Sequence, residues 1–285
     1  MVAVSTAVIL GAGEIGGALA RQLAAADLVS RIVIVDDLAN VAAGKALDVA
    51  QSSPVDGYHT VMSGSGDVSA VVGANVIVVA DSAASPPIEW KDEAGLALVR
   101  RVAGLNQLAP ILCAGASQAS VIQKGVNEGG VARARLFGSA PEAFRSAITA
   151  IVALEAGAAP QDVSLSVLGR PPQNVIVPWD ETAIAGRCAT HVLSAAQLAR
   201  LDARLARLWP PGPYALAGAA TRLIRTALTR SPRVHAALVA VTRDEGVAGR
   251  SAMMPVTLQP AGIATLVPPS LSTRDRVRFE TALRA

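Results

Sequence analysis

Aromatic side chains are nearly missing from this sequence: three Phe, two Tyr and three Trp make up 3% of 285 residues. With the hydrophobic share still at 52%, the core has to be built from Ala, Val, Leu and Ile. Lysine is scarce too. Lys45, Lys91 and Lys124 accompany 22 arginines, and the arginines are scattered rather than grouped with aromatics, so the net charge of +3 leaves no nucleic-acid footprint. Cysteine is limited to Cys113 and Cys188 and histidine to His59, His191 and His235, none at metal-ligand spacing. The expectation is a cytoplasmic protein without disulfides or bound metal. No apolar run approaches the ~20 residues that a bilayer span requires. The first strand starts almost at the first residue, so neither a signal segment nor a membrane partner is expected.

What the chain does have is a glycine turn in a complete setting. A strand-like run, Val2 to Leu10, leads into Gly11-Ala12-Gly13-Glu14-Ile15-Gly16-Gly17 and then an alanine-rich helix. In such a turn Gly11 permits the sharp bend, Gly13 lets backbone approach a diphosphate, and Gly16 lets helix and strand pack closely. The helix N-terminus meanwhile presents unpaired N–H groups to the anion. A second apolar run, Ile32 to Val35, ends in Asp36, 20 residues past Gly16, where an acid meets the adenosine ribose. Gly11, Gly13, Glu14, Ile15, Gly16 and Asp36 are therefore the expected cofactor-binding residues, with NAD preferred over NADP because Asp36 and Asp37 oppose a 2′-phosphate.

The first half alternates β-branched runs with helical stretches, the pattern of a doubly wound parallel sheet. Strands are expected over Ala3–Leu10, Arg31–Val35, His59–Ser63, Val76–Ala80, Ile111–Ala114 and Ala134–Phe137. Helices are expected near Gly16–Ala26, Val41–Gln51, Glu93–Ala103 and Ala119–Lys124. After Gly138 the pattern changes to a long helix, Pro141–Ala156, strands at Val163–Leu168 and Val175–Val177, helices at Ser194–Leu208 and Tyr214–Leu228, and late strands at His235–Thr242, Ser251–Leu258 and Gly262–Leu266 before a last helix. The fold class is α/β: a Rossmann sheet over residues 1–140 joined to an α+β unit over 141–285, with a cleft between them.

The order of elements and several strings resemble the malate and lactate dehydrogenase family. The closest stretch is Gly44-Lys45-Ala46-Leu47-Asp48-Val49-Ala50-Gln51-Ser52-Ser53-Pro54-Val55, which is similar to the bacterial malate dehydrogenase segment after the second strand. Ile9 to Gly17, Gly73 to Val79, Val167-Leu168-Gly169, Val177-Pro178 and Ala185-Gly186 add to it. The resemblance implies NAD as cofactor. It also places the Gly44 to Val55 helix in a subunit interface, and so implies a homodimer or homotetramer.

The same resemblance marks what is replaced. Family members use a histidine as proton acceptor, an aspartate that orients it, and two arginines that hold and polarise the substrate. After Val167-Leu168-Gly169 the histidine's place falls on Pro171. Counting without gaps from Gly138 to Gly157 puts Phe144 at the aspartate and Ala147 at the carboxylate-binding arginine. A slipped alignment instead gives Glu142 and Arg145 the same i, i+3 relation. The family's Asn-Pro after the fifth strand corresponds to Ala116-Ser117. In the loop after the fourth strand, Ser85 replaces the substrate-selecting arginine and Lys91 takes the polarising one's position. Lys91 is either an anion-attracting charge without the arginine fork or an ordinary solvated loop charge. Asp81, in the family's Thr-Ala-Gly turn, either repels a diphosphate or acts as a substitute acid or base. No catalytic residue stands out; Lys91, Glu142, Arg145 and Asp81 are the weak candidates. Two readings result. One is an NAD(H)-binding relative without malate or lactate dehydrogenase activity, acting as a redox-sensing or partner-binding module. The alternative is an NAD-dependent oxidoreductase rebuilt for another small hydroxy or keto substrate, with a small anionic ligand as its second binder.

Overall fold

The computed structural model describes residues 5–86, 88–241 and 249–284. Its first half is built from β1 (Thr6–Leu10), α1 (Glu14–Ala25), β2 (Arg31–Val35), α2 (Ala39–Asp56), β3 (Val61–Ser65), β4 (Val76–Val79), the short β5 (Asp81–Ser82) and β6 (Ile88–Glu89), α3 (Asp92–Leu105), β7 (Ile111–Cys113), α4 (Ala119–Asn127) and β8 (Leu136–Gly138). Strands β3-β2-β1-β4-β7-β8 lie side by side in that order, all parallel. This is the doubly wound order whose reversal point lies beside β1, and ligands of such sheets bind at the carboxyl ends of the strands there. The central strands are buried on both faces, which is why Val8-Ile9-Leu10 and Val76-Ile77-Val78-Val79 read as continuous apolar runs rather than alternating ones.

The second half adds α5 (Ala140–Ala156), β9 (Val163–Ser164), β10 (Leu168–Arg170), β11 (Asn174–Ile176), β12 (Ala183–Ile184), β13 (Arg187–Cys188), α6 (Ala189–Val192), α7 (Ala195–Leu205), α8 (Pro213–Thr229), β14 (His235–Ala240), β15 (Ser251–Gln259), β16 (Gly262–Leu266) and α9 (Thr273–Arg284). The main sheet does not stop at β8: it continues antiparallel through β14, β15, β10 and β11, joined at Leu238 opposite Gly138. Helix boundaries follow local chemistry. Pro141 opens α5 and Gly157, at φ +62°, closes it, while Ser194 and Gln197 form a capping box at the start of α7.

Several expectations shift. The apolar run Val163–Leu168 is not one strand. Val163 and Ser164 pair with β12 and Leu168 pairs with β11, so residues 165–167 bridge two sheets, with Leu165 and Val167 still packed in the core. Helix α2 runs five residues past Gln51, taking in Pro54, and ends only where Gly57 supplies the left-handed C-cap. His59 precedes β3 rather than lying in it, its N–H and that of Thr60 held by Asp27. The expected strand residues Ala3, Val4 and Thr242 lie outside the described residues. Two apolar layers cover the sheet. One is formed with α1, α2, α8 and α9, and the other with α3, α4 and α7, while α5 contributes to both.

Candidate functional site

The glycine turn folds as its residue types dictate. Gly11 has φ +114° and donates to the Val35 carbonyl at 2.7 Å, and a Cβ at Gly16 would run into the Gly11 carbonyl. The expected dinucleotide grip therefore lies at the carboxyl ends of β1 and, for Asp36, of β2. The groups are nevertheless engaged from within the chain. The Asp81 carboxylate accepts from Ile15 N–H at 3.1 Å through Oδ2 and from Gly16 N–H at 2.9 Å through Oδ1. Its backbone carbonyl accepts from Gly13 N–H at 2.9 Å. A Cβ at Gly13 would collide with the Asp81 side chain, so it is this carboxylate that uses the space the missing side chain leaves.

Asp36 is likewise occupied. Its Oδ2 accepts from Ala12 and Ala83 N–H, both at 2.8 Å, and its Oδ1 from Leu38 N–H at 3.0 Å. Asp36 and Asp81 are each only 4% exposed. Across the cleft, Glu89 accepts from Ala116 N–H at 3.0 Å and Ser117 N–H at 2.6 Å, beside Gly115, whose Cβ position its carboxylate would overlap. Beside the turn, a cavity of about 220 Å³ is lined by Glu14, Asp81 and Glu89 on one side and by Pro210, Pro211 and Leu216 among its other walls. A second cavity of about 230 Å³ opens next to Asp36 between Val35, Val68, Trp90, Leu98 and Arg101. The Trp90 indole N–H is buried and has no acceptor among the described residues.

The catalytic candidates do not converge. Phe144 is fully buried and meets Trp209 edge to face, ring centroids 5.5 Å apart at 86°. Glu142, one residue pair earlier on α5, belongs to a different cluster. Arg145 donates to its two oxygens at 2.6 and 3.0 Å, Ala236 N–H donates at 2.9 Å, and Arg222 lies 3.7 Å away. His235 Nδ1 is 3.2 Å from Glu142 without aligned hydrogen-bond geometry, while its Nε2 is 2.8 Å from the Thr226 hydroxyl. Burial pushes the Glu142 carboxyl up, but the contacts from His235 and Arg145 outweigh it and bring the carboxyl to about 2. Lys91 is exposed at the N-cap of α3, with no ion pair among the described residues. Cys113 is an inert core thiol, its pKa raised to about 12 by burial.

Residues 6–91 match the family described as lactate/malate dehydrogenase, NAD binding domain. Over its whole length the chain is similar to the malate and lactate dehydrogenases. The malate dehydrogenase of Thermomicrobium roseum is 27% identical over 292 residues, covering 97% of this chain and 94% of that protein. The fold is shared with the malate dehydrogenase of Aeropyrum pernix (TM-score 0.86, 17% identity, 98% of this chain and 95% of that one). It is shared equally with a Cryptosporidium parvum lactate dehydrogenase solved with lactic acid and NAD (TM-score 0.86, 16% identity, 100% and 96%).

NAD is thus the cofactor of this dehydrogenase-type domain. The glycine turn, Asp36 and the adjoining cleft lined by Val35, Val68, Trp90 and Leu98 fit an adenosine half; the diphosphate position is where Asp81 sits. Four participants escaped sequence reasoning. Glu89, the Ala83 N–H, Gln118 and Arg101 lie in no motif, and only the chain's folding brings them to the site. Asp81 alone had a signal, an acid in a turn where the family is small and neutral. Among the described residues no group of acids, histidines or cysteines is arranged to hold a metal, and no helix is long and apolar enough to cross a membrane.

Proposed function

We propose that this chain is an NAD(H)-binding relative of the malate and lactate dehydrogenases that does not turn over malate or lactate, and that it serves as a redox-sensing or partner-binding module. It would combine a dinucleotide-binding unit over 1–140 with an α+β unit over 141–285. The observation that carries the reading is the contact between Phe144 and Trp209. On the ungapped count Phe144 stands where the family's aspartate would orient a histidine, and it is core. Pro171 offers no exchangeable proton at the histidine's place, and Ala147 offers no fork for a carboxylate. Loss of a general base alone slows a reaction ~10²- to 10⁴-fold. A missing charged hydrogen bond to substrate weakens binding by about 1.5 to 3 kcal/mol. Such groups act together, so the losses do not simply multiply.

The alternative, an oxidoreductase rebuilt around Asp81, Lys91, Glu142 and Arg145, has less support. Arg145 spends two donors on Glu142, Asp81 faces helix N–H groups, and Lys91 is exposed with no ion pair among the described residues. The test is a steady-state assay with NAD and malate or lactate, and with NADH and oxaloacetate or pyruvate, alongside calorimetric NADH titration. Binding without turnover supports the proposal. Turnover within ~10²-fold of the ~10 s⁻¹ typical of enzymes overturns it.

A further inference from the structure

At three positions of the candidate site the polar groups that would grip a dinucleotide already have partners, and one short segment supplies a partner at each. The Ile15 and Gly16 N–H groups at the diphosphate position donate to Asp81, 66 and 65 residues away in sequence. The Asp36 carboxylate at the ribose position accepts from Ala83 N–H. The Ala116 and Ser117 N–H groups, at the family's Asn-Pro position, donate to Glu89. Asp81 and Glu89 are register partners across the β5–β6 hairpin. Gln118, fully buried, ties both flanks of that hairpin by donating from Nε2 to the carbonyls of Ala80 and Trp90 at 3.3 and 3.0 Å.

From this arrangement we infer that the hairpin of Asp81–Ser82 and Ile88–Glu89 is a built-in stand-in for the dinucleotide, and that NAD(H) binds only by displacing it. The inference rests on the NAD-binding reading above and adds how that site is controlled. A helix N-terminus accepts one anion at its N–H groups. With the Asp81 carboxylate at 2.9 and 3.1 Å from those nitrogens, a diphosphate finds both of these donors taken and meets a like charge at contact distance. The neighbouring cavity, walled by Glu14, Asp81 and Glu89, adds to the repulsion. Local capping does not explain the arrangement. A capping side chain ordinarily comes from the residue at the helix start, whereas here two carboxylates from one hairpin fill two gaps left by glycines, Gly13 and Gly115, on separate elements.

The test compares NADH and adenosine binding by calorimetry in the full chain and in Asp81→Asn, Asp81→Ala and Glu89→Gln, with thermal melting to confirm folding. Removing the Asp81 charge should tighten NADH about tenfold or more, equivalent to about 1.4 kcal/mol, while adenosine, which has no diphosphate, changes less than about twofold. Hydrogen exchange supplies an independent readout. The Ile15 and Gly16 amides should be protected in the free wild type, and saturating NADH should expose the 81–89 segment. If wild type binds NADH and neither Asp81 variant binds it more tightly, the stand-in is wrong and the NAD reading survives. If no folded variant binds NADH at all, the NAD reading fails and the stand-in fails with it. Rapid exchange at Gly16 in the free wild type also overturns the stand-in, whatever the affinities.

Discussion

Arg145 closes on Glu142 with two donors, at 2.6 and 3.0 Å, across one turn of α5, and the buried carboxylate is further met by His235 and Ala236. The i, i+3 spacing that in the family separates a proton-relay acid from a substrate-binding arginine is here a closed ion pair. A pair this enclosed belongs to stability before chemistry. Removing one partner from a buried pair typically costs 3–5 kcal/mol, since the other charge is left uncompensated.

The first prediction concerns pH. The Glu142 carboxyl, brought to about 2 in the fold from an ordinary 4.5, is depressed. Its stabilisation is therefore complete above ~4.5 and is lost as pH falls toward ~2, amounting in full to about 3 kcal/mol. Urea unfolding should show stability declining through that window in wild type. In Glu142→Gln the starting stability should be lower and this part of the decline absent. Parallel profiles for the two proteins would show that the pair is not coupled to folding.

Phe144 should behave as core. Phe144→Ala removes a fully buried ring from its contact with Trp209 and should lower stability by about 3–5 kcal/mol. Calorimetric melting checks this, and an unchanged melting temperature would mean that the ring lines an open site. Pro171→His alone should not create malate or lactate turnover, because neither the orienting carboxylate nor the arginine fork accompanies it.

Cofactor choice should follow Asp36 and Asp37, but Arg101 lines the same cleft and partly offsets them. NADH should bind more tightly than NADPH. Asp36→Ser should narrow the gap, and Arg101→Ala should widen it by weakening NADPH most. Titrations with both cofactors decide the matter; equal selectivity in all three proteins would remove Asp36 and Arg101 from the ribose site.

Association is expected through α2. Leu47 is 59% and Val55 87% exposed on this helix, and a cavity of about 570 Å³ lies between it, α1 and the exposed Tyr214. Light scattering should report a dimer or tetramer, shifted toward monomer in Leu47→Glu. A wild-type monomer at micromolar concentration would leave α2 a surface helix.

The sequence by itself determined the parallel β-α-β frame, because buried parallel strands must be continuous apolar runs and a glycine turn must follow the first of them. Gly11 and Gly16 sit where a side chain would strike backbone, and Asp36 directly follows β2. It also determined that Pro171 cannot exchange a proton, a property of the residue rather than of its surroundings. The partners of the glycine turn were decided only by tertiary structure. Asp81 and Glu89 reach N–H groups far away in sequence, and a carboxylate's role depends on which donors the fold brings within 3 Å, which no local spacing encodes. Glu142 and Arg145 show the same limit: their spacing suits a substrate site, but the packing of α5 against α8 and β14 turned them onto each other and His235, where a low-dielectric, enclosed setting makes pairing the only stable arrangement.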